Sequence, residues 1–287
     1  MVGLLITSLV VALSSSPSPQ QGPPPTVAIA VAPAGDTQEL TLKDGTRAIG
    51  RVETIEAGRF TFRTTSGAVM SVETDKVQSL GTVSGRVVAG DFWPDDSNPT
   101  RLFFAPTGRA LKRGESYLGV YEIMLPFVQY GITDRISVGA GTPLIFGSGG
   151  DTPFWVTPKV QVLKAKSTEA ALGVIHFINV GDANLGIAYG VVTQGSADSA
   201  ITVGAGYAYV RDEGSDDGSA VVMFGGEHRV SRRLKLVTEN YAFDGGGILS
   251  GGVRFLGERL SVDLGLASPL GVDVFVAFPV INFVWKF

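Results

Sequence analysis

Two histidines, His176 and His228, are the side chains best suited to general acid–base chemistry in this 287-residue sequence. An acyl-transfer site would also need an activated nucleophile beside the base. His228 lies beside a turn, where contact with water or lipid headgroups is the simpler interpretation. Since the two histidines are far apart in sequence, we predict that the protein is not an enzyme.

Two glycine-rich or acidic segments could in principle bind a ligand, but neither has the spacing of a metal or phosphate site. Asp212–Gly218 has the residue types of a calcium loop without the regular ligand alternation and the closing glutamate. Gly245–Gly247 is not a phosphate loop, because no helix follows that a phosphate could cap. The sequence also contains no cysteine, so disulfides and thiolate ligands are excluded. We therefore expect no metal and no cofactor.

The composition points to a membrane protein built from strands. A net charge of -4 and a pI near 5.3 give no indication of a nucleic-acid partner. Charged residues make up only 17% of the chain and the mean hydropathy is positive. No internal apolar run reaches the roughly 18 residues that a transmembrane helix needs. Strong hydrophobicity without a helical span is typical of a β-barrel.

The polar residues of interest are those that strand alternation places on the inner face of such a barrel. These candidates for lining the lumen are Lys159, Gln161, Lys235, Glu239, Arg254, Asp263, Asn282 and Lys286. Charges of both signs on an inner face predict either a narrow water-filled pore or a lumen closed by its own ion pairs. The sequence is compatible with both the water-filled pore and the closed lumen.

The carboxyl-terminal strand, residues 278–287, shows most clearly how these side chains are positioned. It alternates between Ile281, Phe283, Trp285 and Phe287 on one face and Val280, Asn282, Val284 and Lys286 on the other. In a soluble domain such a strand would be a sticky edge. It would instead close a barrel by pairing with a first strand near residues 101–107 while its aromatic face meets lipid.

Turn residues divide the rest of the chain into about twelve strands. We place them near 101–107, 116–130, 135–143, 154–166, 169–179, 184–194, 199–211, 219–230, 233–242, 248–256, 259–267 and 277–287. Short turns alternate with longer connections at Leu144–Pro153, Asp212–Ser219 and Asp244–Gly247. Unequal ends of this kind are typical of outer-membrane barrels.

Two neighbouring strands alternate most regularly, and their bulky residues are predicted to face lipid while glycine, alanine and threonine fill a crowded interior. The predicted lipid-facing residues are Leu185, Ile187, Tyr189 and Val191 in one strand and Ile201, Val203, Ala205, Tyr207 and Tyr209 in the next.

The amino-terminal third is organised differently. Residues 1–16 contain an apolar run followed by small residues, which predicts a secretory signal peptide. Residues 17–36 form a proline-rich linker, and residues 83–100 a turn-rich connector whose carboxylates we interpret as solvated. Between them, residues 37–82 contain five short strands. The spacing of Leu42–Val52, with a bend at Gly50, resembles the SH3-like and Sm-like small barrels, which implies a structural or docking domain.

The larger region, residues 101–287, carries a second resemblance. The run Pro106–Tyr121, the hairpin Gly131–Gly139 and the aromatic terminal strand resemble bacterial outer-membrane β-barrel proteins. The resemblance implies a Gram-negative outer membrane, contact with its lipid, and insertion by the barrel-assembly machinery, for which Phe287 would be part of the signal. The segment Gly173–Asn179 around His176 also resembles the His-x-Ser-Asn-Gly motif of outer-membrane phospholipase, but Ile178 stands at the position of the serine nucleophile, so an acyl-enzyme could not form here.

The sequence therefore predicts an all-β protein: an antiparallel up-and-down transmembrane β-barrel of about twelve strands, preceded by a small SH3-like β domain in the periplasm. Its expected function is that of a passive channel for small solutes or a structural membrane component. The alternative is a secreted, soluble all-β binding protein, and a barrel enzyme acting on lipid is less favoured.

Overall fold

The computed structural model describes residues 28–33, 35–144, 152–181, 183–212, 215–272 and 276–287. The predicted signal peptide, residues 1–16, lies outside the described residues, as does most of the predicted linker. Within the described ranges the chain forms a small sheet, a short hairpin and a closed barrel. No helix in these ranges is long and apolar enough to cross a membrane.

The small sheet contains five antiparallel strands in the order β4-β3-β2-β1-β5, with a 3-10 turn, Thr74–Lys76, before the last strand. The strands are β1 (Thr37–Leu42), β2 (Arg47–Glu56), β3 (Arg59–Thr64), β4 (Val69–Glu73) and β5 (Val77–Val83). Its core contains Leu40, Val52, Phe60 and Phe62. Gly50 is required in β2, because a Cβ there would lie 1.9 Å from the carbonyl oxygen of Arg63. The five strands confirm the predicted sheet, while the SH3-like assignment stays a prediction.

The barrel consists of twelve antiparallel strands in chain order, and β8 pairs with both β9 and β20, so that no edge remains. The strands are β8 (Ser116–Tyr121), β9 (Leu125–Gly131), β10 (Ile136–Gly141), β11 (Phe154–Val156) with β12 (Lys159–Lys164), β13 (Thr168–Val180), β14 (Ala183–Gly195), β15 (Ser199–Asp212), β16 (Ser215–Ser231), β17 (Leu234–Phe243), β18 (Gly246–Leu256), β19 (Leu260–Leu270) and β20 (Phe278–Lys286). The predicted barrel of about twelve strands is confirmed.

β11 and β12 are two halves of one strand. Pro158 interrupts them because it lacks an N–H for the ladder, while Thr157 still exchanges backbone hydrogen bonds with Gly139. The barrel wall is therefore continuous at this break.

Two errors in the predicted strand list cancel each other in the count. Residues 101–107 were expected to pair with the last strand, but that partner is β8. The stretch 116–130 was expected to be one strand and is instead two, separated by a tight turn in which Glu122 and Ile123 have φ angles of 47° and 65°. Positive φ at residues other than glycine has no strong sequence signal, so this turn could not be located from the pattern.

The two ends of the barrel differ. At one end, called here the small-sheet end, lie the start of β8, the end of β20 and the short turns 196–198, 232–233 and 257–259. At the opposite end, called the far end, the expected long connection after Leu144 is present, although residues 145–151 lie outside the described residues. The other two predicted long connections are wrong, because β15–β16 and β17–β18 extend through them.

The small sheet is attached to the barrel through the hairpin β6 (Gly85–Val88) and β7 (Asp91–Pro94). Trp93 of this hairpin makes cation–π contacts with two guanidinium groups, those of Arg229 and Arg86, at 5.0 and 5.4 Å from its ring centre. Arg232 contacts Asp91 at 3.0 Å, and Arg259 donates to the carbonyl of Thr82 at 3.2 Å. Cation–π contacts and ion pairs thus hold the small sheet at one rim of the barrel.

Candidate functional site

The lumen of the barrel is occupied by a segment of the chain itself, residues 95–112, called here the lumen hairpin. It is a turn of extended chain in which Leu102 N–H donates to Ala105 O and Thr107 N–H donates to Thr100 O, both at 2.9 Å. Its tip contains Leu102 and Phe103, both fully buried. The segment predicted as the first barrel strand is therefore an internal hairpin, and that prediction is wrong.

The lumen hairpin enters and leaves at the small-sheet end. On entry, Arg229 at the end of β16 donates to the carbonyl of Pro94 at 2.9 Å. On exit, the backbone N–H of Arg113 donates to Asp134 in the turn after β9 at 2.9 Å. The hairpin is thus inserted into the barrel from the side that carries the small sheet.

Arg254 in β18 makes the most contacts to the lumen hairpin. Its fully buried guanidinium donates to the carbonyls of Asn98, Arg101 and Leu102 at 2.9, 3.3 and 2.5 Å. Asp263 on the neighbouring strand accepts two further hydrogen bonds at 2.6 and 3.0 Å. A buried cation needs such compensation, since an unpaired charge in the interior is strongly destabilising.

The charges continue as one alternating chain across the lumen. Asp96 of the hairpin accepts from Arg254 at 3.1 Å and from Lys235 at 2.8 Å. Lys235 also contacts Glu227 at 2.8 Å, and Glu227 pairs with Arg109 on the exit side of the hairpin. The interpretation of the connector carboxylates as solvated is wrong for Asp96, which is buried between two cations.

The tip of the hairpin is held by backbone contacts. One oxygen of Glu239 accepts the N–H groups of Phe104 and Ala105, both at 2.9 Å, and the other accepts the hydroxyl of Tyr241 at 2.7 Å. Asn282 of the last strand donates to the carbonyl of Phe103 at 3.3 Å. The polar backbone of the tip is thus satisfied inside the barrel.

Two residues of β12 hold the exit side. Lys159 donates to the carbonyls of Thr100, Thr107 and Arg109 at 3.3, 3.4 and 2.7 Å. Gln161 donates to the carbonyl of Gly108 at 2.8 Å. An ammonium group bound by three carbonyl oxygens fixes backbone rather than a particular side chain.

The structure brings together seven of the eight sequence-predicted lumen candidates. Six contact the lumen hairpin directly, namely Lys159, Gln161, Lys235, Glu239, Arg254 and Asn282, while Asp263 holds Arg254. Lys286 lies at the rim and pairs with Glu115 at 3.0 Å. Burial raises the pKa of Glu115, but hydrogen bonds from the Lys112 N–H and Lys286 outweigh it, so the pKa lies below the usual value.

Beyond the hairpin tip, toward the far end, part of the inner wall is apolar. A cavity of about 90 Å³ lies against Phe104, Ala105 and Pro106 of the lumen hairpin. Its walls include Ile175, Ile187, Tyr189, Val191, Val221, Met223 and Tyr241. Among the described residues that line the cavity, none is charged.

These inward positions correct the prediction for β14. Ile187, Tyr189 and Val191 were expected to face lipid, but Val191 is buried in the interior cluster and Tyr189 packs against it. Alternation determines which residues share a face but not which face is inward. Gly186 points outward instead, where the ring of Tyr209 covers it. The prediction for β15 is confirmed, since Val203 and Tyr207 are 51% and 55% exposed.

The outer surface carries a continuous set of exposed apolar side chains. The last strand follows its prediction, with Phe283 and Trp285 exposed while Asn282 and Val284 are buried. Neighbouring strands add exposed residues such as Leu266 on β19. Such an extensive apolar exterior would be unfavourable in water.

The two histidines are outside the lumen. His176 lies 2.9 Å from the hydroxyl of Tyr209 near the far end, and His228 lies 3.2 Å from that of Ser199 near the small-sheet end. Within the described ranges, no three metal-ligating side chains lie close enough together to hold an ion. The structure does not bring the histidines together.

No known protein family matches the sequence, and no curated protein matches it either. Among solved structures, the chain is similar to a KdgM porin in complex with disordered oligogalacturonate, with 5% identity and a TM-score of 0.47 over 60% of this chain and 98% of that one. The NanC porin has 7% identity and a TM-score of 0.46 over 60% of this chain and 99% of that one. A loop L8 deletion mutant of OmpT, an outer membrane protein of Vibrio cholerae, has 13% identity and a TM-score of 0.38 over 88% of this chain and 96% of that one. At such identities the likeness concerns the fold alone.

Proposed function

We propose that the protein is an outer-membrane barrel of the passive-channel class whose lumen is closed, in this conformation, by its own lumen hairpin. The observation that supports this proposal best is the buried guanidinium of Arg254, bound to three hairpin carbonyls and to two carboxylates. The hairpin occupies the place where a solute would pass.

The chemistry of the closure favours a channel over a barrel that is permanently filled. Replacing a buried ion network by apolar packing often leaves the free energy of unfolding unchanged or raises it. A lumen that is filled permanently would therefore be closed more stably by apolar side chains than by ion pairs. If the hairpin left, water would rehydrate Lys159, Lys235, Glu239 and Arg254, and these charges would line a polar pore. The same residues thus serve both a closed and an open state.

The proposed location follows from the outer surface and the closed sheet. A barrel without edges satisfies all its backbone groups in lipid, and the exposed apolar side chains need a nonaqueous surrounding. The small sheet and Phe287 lie at the same end, which we assign to the periplasm; insertion by the barrel-assembly machinery with Phe287 as signal is part of the proposal. A secreted soluble protein would expose this apolar surface to water.

Extraction tests the location. The mature protein should require detergent for extraction and should migrate differently on gels before and after boiling. A protein that stays in solution without detergent and shows no heat-dependent migration would contradict the membrane assignment.

Planar bilayers test the closure. The wild-type barrel should give almost no steady conductance, whereas a variant in which a short Gly-Ser linker replaces residues 95–111 should conduct. In that deletion background, Lys159→Glu should shift the pore toward cation selectivity, with the outward Val160→Thr as the control. A folded deletion variant without conductance would instead favour a structural membrane component.

A further inference from the structure

The lumen beyond the hairpin tip contains an apolar cavity that none of the described side chains fills. The cavity at the hairpin tip is walled by Ile187, Val191, Val221 and Met223, of which Val191 and Met223 are buried while Ile187 and Val221 are only partly buried. Apolar surface that lines an accessible cavity is unfavourable in water and is typical of a ligand site.

Two glycines on β15 allow bulky side chains of β14 to pack closely over them in the wall of the cavity. A Cβ at Gly204 would lie 2.6 Å from Val191 Cγ1, and a Cβ at Gly206 would lie 3.0 Å from Ile187 Cγ1. A larger residue at either position would push the Val191 or Ile187 side chain out of its place in the cavity wall. The small residues and their large partners therefore shape a defined space rather than a loosely packed wall.

The polar groups of the cavity are few and uncharged. The hydroxyl of Tyr241 already donates to Glu239, which leaves only its oxygen lone pairs for a ligand. Tyr189 also lines the cavity, but its hydroxyl lies over Gly173, and Phe104 of the lumen hairpin is a further lining residue. A charged ligand would lose its hydration here without gaining a partner.

We propose that this cavity binds a small uncharged apolar molecule, such as one with a single aromatic ring, seated on Phe104 between Tyr189 and Met223. A volume of about 90 Å³ admits one ring or a short alkyl group but not a sugar chain. The inference rests on the proposed channel function for its biological meaning, because it names the class of solute that reaches the closed hairpin. Binding itself requires only the closed barrel.

The test uses the full-length mature protein in lipid nanodiscs and 4-fluorotoluene as the probe, followed by 19F NMR. The wild type should show a saturable resonance at one equivalent, beyond the partitioning seen in protein-free nanodiscs. Toluene should displace the probe and benzoate should not. A signal that only grows linearly with probe, or equal displacement by benzoate, would overturn the proposal.

Val221→Phe and Val222→Phe are the matched variants, since Val221 lines the cavity and its neighbour Val222 is 47% exposed on the outer face. The first should weaken probe binding at least tenfold, and the second should leave it unchanged. Equal binding by both would contradict the site. If Val221→Phe does not fold, the toluene and benzoate competition on the wild type still decides the question.

The two proposals fail separately. Saturable binding together with a hairpin-deleted barrel that does not conduct would remove the channel function and keep the site. Conductance of the hairpin-deleted barrel without saturable probe binding by the wild type would remove the binding site and keep the channel function.

Discussion

The two halves of the lumen are built from opposite chemistry. At the small-sheet end, Arg254, Lys235 and Lys159 bind the lumen hairpin through charge and backbone carbonyls. At the far end, the wall beyond Phe104 is apolar and leaves a cavity. The charged half holds the hairpin in the lumen, and we propose that the apolar half selects which molecules reach it.

The largest effect is expected from Arg254→Ala. It would leave Asp96 and Asp263 buried without their shared cation, and breaking a buried pair in this way costs about 3–5 kcal/mol. The loss should appear as a lower urea midpoint for unfolding in detergent micelles. Arg259→Ala, at the rim, is the control and should change stability little. A midpoint equal to that of the wild type would mean that the charged half does not hold the hairpin.

Glu239→Ala should have the next largest effect. It would leave the N–H groups of Phe104 and Ala105 buried without an acceptor, and each unsatisfied group costs about 1–3 kcal/mol. Hydrogen exchange at these two amides should become faster than in the wild type. Unchanged exchange at both amides would show that the hairpin tip is fixed by apolar packing alone.

Val221→Ala probes the apolar half. The residue is only partly buried beside a cavity, so the loss of two methyl groups should cost about 1 kcal/mol or less. Its urea midpoint should lie much closer to that of the wild type than to that of Arg254→Ala. If the two variants were equally destabilised, the contrast between the halves would not hold.

The smallest effect is expected at the rim. Arg232 and Asp91 are both more than half exposed, and exposed pairs contribute about 0–1 kcal/mol. Arg232→Ala should therefore leave the urea midpoint almost unchanged, also at high salt.

A nearby pair, Arg233 with Glu258, is less exposed. Partial burial raises the pKa of Glu258, but the hydrogen bond from Arg233 outweighs this effect, so the pKa of Glu258 lies below its usual value.

Strand alternation predicted the barrel and seven of the polar residues that lie inside it. The charged candidates stand out because Lys235 and Arg254 interrupt apolar strands at positions with inward parity. The alternation of inward and outward residues along a strand is a local property of the sequence, so it can be recognised without knowledge of the fold. The face of β14 was mispredicted because both of its faces carry residues that suit either environment.

The lumen hairpin could not be predicted from the same pattern. A short apolar run such as Leu102–Ala105 between turn residues looks the same whether it forms a strand or packs inside a barrel. Its partner Arg254 lies more than 150 residues away along the chain, and no local pattern encodes such a contact. Asp96 and Glu227 were missed for the same reason.

Thiol labelling tests the central claim most directly, because the chain has no cysteine of its own. Thr100 of the lumen hairpin is 2% exposed, and Asp244 at the far end is exposed. In the folded protein, Thr100→Cys should react with a bulky maleimide at least about 100-fold more slowly than Asp244→Cys, and adding Arg254→Ala should accelerate it. Equal labelling rates for Thr100→Cys and Asp244→Cys would contradict a lumen closed by its own hairpin.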